Sequence, residues 1–398
     1  MTYTPSARKR NFLIAAFLFA MAFCNLTPLY WVVPRLRKGY QDFAIYYVSG
    51  RLLHEGRSKV LYDLDVQYKE QLTFAPDVPI RLGALPFNHP PFEALLFVPF
   101  TFLGFWPAYL VWTSMSLIML VASVGLLRRF SPIREVHPVL LGLGTLAFFP
   151  LMNGLLQGQD AILLMFLAVL ALTCLDRGSD IAAGAWLGAG LFRPHMVIGL
   201  VLLLAARRWR VLVGFAAVGL VLTGIGVAIM GWRWPLEYVR FVSFVEQAGS
   251  IEPEVVPNLR GLGGTLVGHF SKPAAWLLIS ASSVGVFVLA LLRIRGGNDS
   301  ASHNFCLASV TCILISFHAL SYELTLLLPL VLFLLSAAVT AKTQEYGTGR
   351  LLLLFLMFLT PLYVFLLWDV KLFFFFGVVV LWLFFRLLRA PASATEPA

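Results

Sequence analysis

The chain has 398 residues, of which 59% are A, V, I, L, M, F, W, Y or C and only 13% are charged. Soluble domains run nearer to about 45–50% apolar and about 25% charged, so this composition excludes a cytosolic enzyme, a nucleic-acid binder and a disordered protein. The formal net charge of +10 sits in short basic runs between apolar stretches, the pattern of cytoplasmic loops facing anionic lipid, and is no mark of a nucleic-acid partner.

Taken in chain order, the first element is Arg8-Lys9-Arg10 followed by the apolar run Phe12–Val33. A bilayer span needs ~20 residues, so this run is long enough to cross and reads as an uncleaved first helix, not a signal peptide. Phe23 before Cys24 is too bulky for a lipoprotein cleavage site. The longest hydrophilic piece, 34–89, follows. Within it Phe43, Tyr46, Tyr47 and Leu53 recur at helical spacing, which predicts an amphipathic helix in the membrane interface with its rings at headgroup depth. Segment 91–127 reads as two helices broken at Gly104–Pro107.

Beyond Arg129 the apolar stretches fall into out-and-back pairs: Val136–Leu156 with Ala161–Leu175, Ile181–Phe192 with Met196–Ala206, Val211–Met230 with Ala274–Leu292, Phe305–Ser316 with Leu324–Val339, and Leu351–Leu367 with Leu372–Leu388. The expected fold is therefore all-α, a polytopic transmembrane bundle of about 12–13 helices. It forms one integral membrane domain over 1–390, with a Pro- and Ala-rich tail, 391–398, expected to be disordered. The four cysteines lie in apolar segments and read as packed or lipid-facing thiols.

Basic runs face the cytoplasm. Placing all of them there puts six connections on the outer side: 34–89, Asn153–Asp160, Arg193–His195, Gly231–Pro273, Phe317–Glu323 and Trp368–Lys371. Parity leaves two placements for 91–127. Either Phe92–Leu103 is a shallow re-entrant helix, or Arg128 and Arg129 lie outside.

Most of the unusual polar residues fall in these connections. Asp42 is either an acid favoured at a helix N-terminus or a working carboxylate above the bundle. Asn88 and His89 precede Pro90-Pro91, which can open a helix; they mark a capped start or the mouth of a site. Asn153 and Gln159, with nearby glycines, suit a polyol or phosphate, or form an outer turn with Asp160 as N-cap. Arg193, followed by His195, interrupts an apolar stretch. Charge at membrane depth faces a cavity or a partner, so Arg193 binds phosphate or holds two helices together through an aspartate. His318, Tyr322 and Glu323 break another stretch, as titrating groups or as a polar turn. The cations and aromatics of 231–273, among them Trp232, Arg233, Trp234, Tyr238, Arg240 and Arg260, either hold a lipid headgroup or a glycan or anchor the interface, and the anchor is the favoured reading. No carboxylate cluster for a divalent metal is visible, so no metal is expected.

The order of these features carries a resemblance. Asp42, Gly56 and Leu61-Tyr62-Asp63 follow the first span, then Asn88-His89-Pro90-Pro91, Gly158-Gln159, Arg193-Pro194 in a broken helix, and Arg207-Arg208-Trp209. From about residue 10 to about residue 340 the chain resembles the GT-C type membrane glycosyltransferases of glycosyltransferase family 87. That group includes polyprenyl-phosphate-mannose-dependent mannosyltransferases acting on phosphatidylinositol mannosides. The resemblance implies a polyprenyl-phosphate sugar donor, often mannose, as co-substrate with no other cofactor. It implies a lipid or glycan acceptor, the outer face of the plasma membrane as the location, and a functional acid at Asp42. Where the family commonly has Tyr-Pro-Pro this chain has His89-Pro90-Pro91; where it often has Lys the chain has Arg193. A family Ser-Trp-x-His segment reads Ser321-Tyr322-Glu323-Leu324, with His318 as the nearby replacement.

The expected activity is inverting hexosyl transfer with Asp42 as general base and Arg193 on the donor phosphate. Asn88, His89, Asn153, Gln159, His195, His318, Tyr322 and Glu323 are expected around the substrates. A transporter or flippase of a lipid-linked saccharide is the alternative, and an O-antigen polymerase or ligase a third class. The early long loop and the absence of visible repeats favour the enzyme.

Overall fold

Apolar runs separated by Gly, Pro and basic residues become helices, because in a bilayer each backbone N–H and C=O must be bonded within its own segment. The computed structural model describes residues 5–77, 83–247, 252–340 and 348–390, and every regular element among them is helical. The tail 391–398 lies outside the described residues.

In chain order the helices begin with α1 (Pro5–Leu26), α2 (Leu29–Leu36), α3 (Phe43–His54) and α4 (Leu64–Leu72). Then come α5 (Pro91–Phe97), α6 (Phe105–Leu127), the short α7 (Ser131–Arg134), α8 (Pro138–Ala147), α9 (Phe149–Gln157) and α10 (Ala161–Asp176). The middle of the chain forms α11 (Asp180–Ala189), α12 (Pro194–Ala205), α13 (Arg210–Met230), α14 (Trp234–Gln247) and α15 (Leu259–Gly268). The last are α16 (Lys272–Gly296), α17 (Ala301–Ile315), α18 (Leu328–Thr340), α19 (Thr348–Phe358), α20 (Thr360–Val364) and α21 (Phe376–Leu388).

Five apolar stretches are long enough to cross a membrane: Arg8–Leu36, Phe105–Leu127, Arg210–Met230, Lys272–Gly296 and Ser321–Thr340. Two more qualify as bent pairs, α8 with α9 at 63° and α19 with the helix beginning at Thr360 at 58°. In each pair a proline, Pro150 or Pro361, sits in the first turn of the second helix. There its missing N–H costs nothing, while its ring blocks continuation of the helix before it. Shorter apolar helices, among them α10, α12 and α17, fill the centre, where side chains from Ile162 to Leu172 and from Phe305 to Leu314 are almost all buried. All four cysteines are free thiols in this packing.

Helices α11 and α13 approach closely enough to need glycine. A Cβ on Gly184 would meet the Val211 carbonyl oxygen at 1.9 Å, and one on Gly214 would meet that of Ile181 at 1.9 Å.

The first connection departs from a helix lying flat in the interface. Phe43, Tyr46 and Tyr47 of α3 are buried in protein, not set among headgroups. They form a second core with Phe97, Phe100, Phe105 and Trp112. The spacing that marks one apolar face is indistinguishable in sequence from a helix covered on several sides. What covers it is α5 and its 3-10 continuation to Phe102, against which Gly50 packs: a Cβ there would lie 2.7 Å from the Phe97 carbonyl carbon. Pro91–Phe102 is shorter than the helices able to cross a membrane and packs on α3, which leaves α6 as the crossing-length helix of segment 91–127.

Candidate active site

Five of the six connections expected on one side converge on a single cavity of about 250 Å³. The start of α3 contributes Asp42 and Ile45, the segment before α5 contributes Asn88 and His89, and the α9–α10 turn contributes Gln159. The break between α11 and α12 contributes Arg193 and His195, α14 contributes Tyr238 and Glu246, and the segment after α17 contributes His318 and Tyr322. The sixth connection is not part of it: Trp368 packs on Phe149, and Lys371 pairs with Glu252.

Asp42 occupies the N-cap position of α3, yet its side chain makes no capping bond. It turns instead to the α9–α10 turn, where Oδ2 accepts from Gln159 Nε2 at 2.8 Å. The Asp42 backbone N–H donates to Gln157 Oε1 at 3.2 Å. Gly158 makes this approach possible. It closes α9 in the left-handed conformation, φ +63°, and a Cβ on it would lie 2.8 Å from Phe43 Cβ. Its carbonyl accepts from Trp112 Nε1 at 2.9 Å, which ties the turn to α6.

The segment carrying Asn88 and His89 has no ladder of its own, so buried side chains satisfy its backbone. Gln71 both donates to the Leu85 carbonyl and accepts from its N–H, at 2.8 and 3.0 Å, and Gln67 accepts from the Phe87 N–H at 2.9 Å. Two glutamines one turn apart on α4 thus hold the approach to Pro90-Pro91.

Arg193 is 3% exposed, with Asp160 at 0% and Glu323 at 3%. Its Nε–H lies 3.0 Å from both carboxylate oxygens of Asp160, Nη1 donates to Glu323, and Nη2 donates to Asp160 and, at 2.8 Å, to Gln159 Oε1. Arg193 thus anchors an internal ion-pair network of two carboxylates and an amide while also lining the cavity. Asp160 is this guanidinium's partner, with no capping bond to α10. Glu323 is likewise a partner of Arg193 and does not line the cavity. Asn153 is also not a lining residue; its Nδ2 donates to Ser321 Oγ at 2.7 Å and joins α9 to the turn before α18.

His89 Nδ1 lies 2.7 Å from Glu93 Oε2 and its ring packs on Tyr46 and Phe87. Burial, and then the nearby Arg193 charge, push its pKa down to about 4, so the ring is neutral at physiological pH. His89, Glu93 and Asp160 present ligand atoms within 4.8 Å of one another, a grouping that sequence spacing did not reveal. A metal ion there would compete with Arg193 for the same Asp160 oxygens. As placed, the group is a buried polar cluster at the cavity wall, in which His89 Nδ1 and both Glu93 carboxylate oxygens lack a hydrogen-bond partner of good geometry among the described residues.

On the opposite wall the rings of His195 and His318 lie 5.9 Å apart. His318 Nδ1 is 3.2 Å from Glu246 Oε1, and Glu246 Oε2 accepts from Arg260 at 3.1 Å. Sequence reasoning missed Glu246 and gave Tyr238 chiefly an anchoring role, because segment 231–273 read first as an interface anchor. The only available signal was an acid inside a cationic, aromatic segment, Glu246 fourteen residues before Arg260.

A bundle of apolar, crossing-length helices whose connections converge on a cavity lined by titratable side chains has the architecture of a membrane-embedded enzyme. Residues 87–321 match the model of Glycosyltransferase family 87, which is more than half of the chain, and the protein belongs to this family of membrane glycosyltransferases. It is 26% identical over 299 residues to a polyprenol-phosphate-mannose-dependent α-(1-2)-phosphatidylinositol pentamannoside mannosyltransferase of Mycolicibacterium smegmatis, covering 74% of this chain and 69% of that one. It is 25% identical over 285 residues to a polyprenol-phosphate-mannose-dependent α-(1-2)-phosphatidylinositol mannoside mannosyltransferase of Mycobacterium tuberculosis, covering 67% of this chain and 64% of that one, just under two thirds of its length. No solved structure matches the chain. The family match starts after Asp42, so it is the folded structure that joins Asp42 to the matched region.

Proposed function

We propose that the protein transfers a mannosyl residue from a polyprenyl-phosphate donor to a lipid-linked glycan at the outer face of the plasma membrane, an acceptor of the phosphatidylinositol mannoside type. The family membership and the activities for which the two relatives are named support this reading. Neither speaks for a transporter or flippase.

One observation carries the mechanism. Asp42 lines the cavity with one carboxylate oxygen bonded to Gln159, and among the described residues Oδ1 has no hydrogen-bond partner. That free oxygen takes the proton of the acceptor hydroxyl. The acceptor oxygen bonds to the anomeric carbon as the carbon–oxygen bond to phosphate breaks, and the electron pair leaves on the polyprenyl phosphate. Attack from the face away from the leaving group inverts the anomeric centre. With Arg193 neutralised, the facing His195 and His318 are the groups that meet the donor phosphate, and Glu246 steadies His318. A cavity of about 250 Å³ takes one hexose and its phosphate, leaving both lipid chains outside in the bilayer.

The test is transfer of radiolabelled mannose from polyprenyl-phosphate mannose to phosphatidylinositol mannosides in reconstituted vesicles. Labelled, chain-extended glycolipid that is lost with Asp42→Asn is the expected result. Failure to transfer any hexose, combined with movement of the intact donor between leaflets, would establish the flippase instead.

A further inference from the structure

We infer that Gln159 is a positioning residue for Asp42, fixing which carboxylate oxygen faces the acceptor and linking it to the Arg193 network. This rests on the reading of Asp42 as general base.

A primary amide can hold a carboxylate in one orientation only if the amide cannot flip. Here both ends of Gln159 are specified. Nε2 donates to Asp42 Oδ2 at 2.8 Å. Oε1 is held by Arg193 Nη2 at 2.8 Å and by the Tyr46 hydroxyl at 2.7 Å. A flipped amide would aim its N–H₂ at a guanidinium that has only donors and set its oxygen against a carboxylate that has only acceptors. Gln159 is 3% exposed, so water cannot replace either bond cheaply. Tyr46 is buried, and its hydroxyl also lies 3.0 Å from Asp160 Oδ1. The Arg193 charge is thus relayed through a polarised amide to Asp42, with no direct ion pair that would tie up the base.

The other titratable or charged groups lining the cavity are His89, Arg193, His195, Tyr238, Glu246, His318 and Tyr322. None of these hydrogen-bonds Asp42 among the described residues. Gln159 is the side chain through which the network reaches the carboxylate, and the backbone bond to Gln157 holds the main chain alone.

Gln159→Glu separates this role from a structural one. A glutamate keeps the acceptor oxygen for Tyr46 and Arg193 but replaces the donor with a second oxygen facing Asp42. The expected result is a folded protein with a lowered melting temperature in detergent and a donor KM within about twofold of wild type. The expected kcat falls about 10²-fold, the scale of a misplaced catalytic group, and the acid limb of the pH–rate profile moves up by roughly one pH unit or more, because a facing like charge favours protonation of Asp42. Wild-type kcat with an unmoved acid limb would overturn the inference, as would a raised KM with kcat intact, which would make Gln159 a substrate ligand. If Gln159→Glu does not fold, Gln159→Met, of similar length with neither donor nor acceptor, carries the same expectation for kcat and the same overturning results. Asp42→Asn measured alongside keeps the two readings apart. An active Asp42→Asn removes the base itself, whereas an inactive Asp42→Asn with a normal Gln159→Glu removes only the positioning role.

Discussion

The Nε–H of Arg193 lies 3.0 Å from each carboxylate oxygen of Asp160, two residues 33 apart in sequence and both sealed from solvent. With Glu323 on Nη1 the guanidinium joins the α9–α10 turn, the α11–α12 break and the segment before α18. Removing one partner of a buried pair strands the other charge and typically costs about 3–5 kcal/mol. Arg193→Ala is therefore expected to lower the melting temperature sharply in detergent, with the fraction that remains folded still binding donor. Arg193→Lys recovers part of the stability, since an ammonium cannot reproduce the fork. A stable Arg193→Ala protein with collapsed donor affinity would return Arg193 to the phosphate.

The Asp42 carboxylate lines the cavity without capping α3, and its side-chain bond is to Gln159, whose amide an asparagine's own oxygen can still accept from. Asp42→Asn is expected to insert and melt like wild type while kcat drops by about 10²–10⁴-fold, the usual loss on removing a general base. Near wild-type turnover in a vesicle assay would refute the assignment.

Gly158 combines a φ of +63° with contact at Phe43. An L side chain in that conformation costs roughly 1–2 kcal/mol before any clash is counted, and the added Cβ would push α3, and Asp42 with it, away from the α9–α10 turn. Gly158→Ala should lose stability and kcat together. Gly125→Ala in α6 is the control: nothing lies within 4 Å of the added Cβ, so it should be neutral or slightly stabilising. Equal effects of the two substitutions would mean that Gly158 matters only for backbone freedom in the unfolded chain.

Lys59 and Arg207 are both exposed and lie on opposite sides by the distribution of basic runs. In a cysteine-free background, Lys59→Cys in intact cells should react with an impermeant thiol reagent and Arg207→Cys should not. The reverse pattern would turn the bundle over and place the cavity in the cytoplasm.

How much of the site was legible varies with how local its physics is. The broken helix at Arg193 stood out because a cation in an apolar stretch is expensive wherever it goes. Its partner did not stand out: a phosphate and a buried aspartate are equally good answers until the fold puts Asp160 beside it. Gln159 was legible as an amide in a glycine-rich turn, but its role depends on Asp42, 117 residues earlier in the chain. Glu93 gave no signal, and Glu246 only that of an acid inside a cationic, aromatic segment. Each reads as an ordinary helix acid, Glu93 in the first turn of α5 and Glu246 near the end of α14, and each acquires meaning only from the histidine across from it.

By itself the sequence determined the helical membrane class, the breaks between helices and the side on which the polar connections gather. These follow from runs of apolar residues about as long as a bilayer is thick, from proline and glycine geometry, and from the bias of basic residues between runs. Only the tertiary structure decided that α3 is buried under α5 rather than floating at the interface, that Arg193 is paired with Asp160 and Glu323, and that Asp42 is held by Gln159. Packing and ion pairing join residues more than thirty positions apart, and the energy of a buried charge depends on which partner stands within about 3 Å of it, a distance that no local pattern encodes.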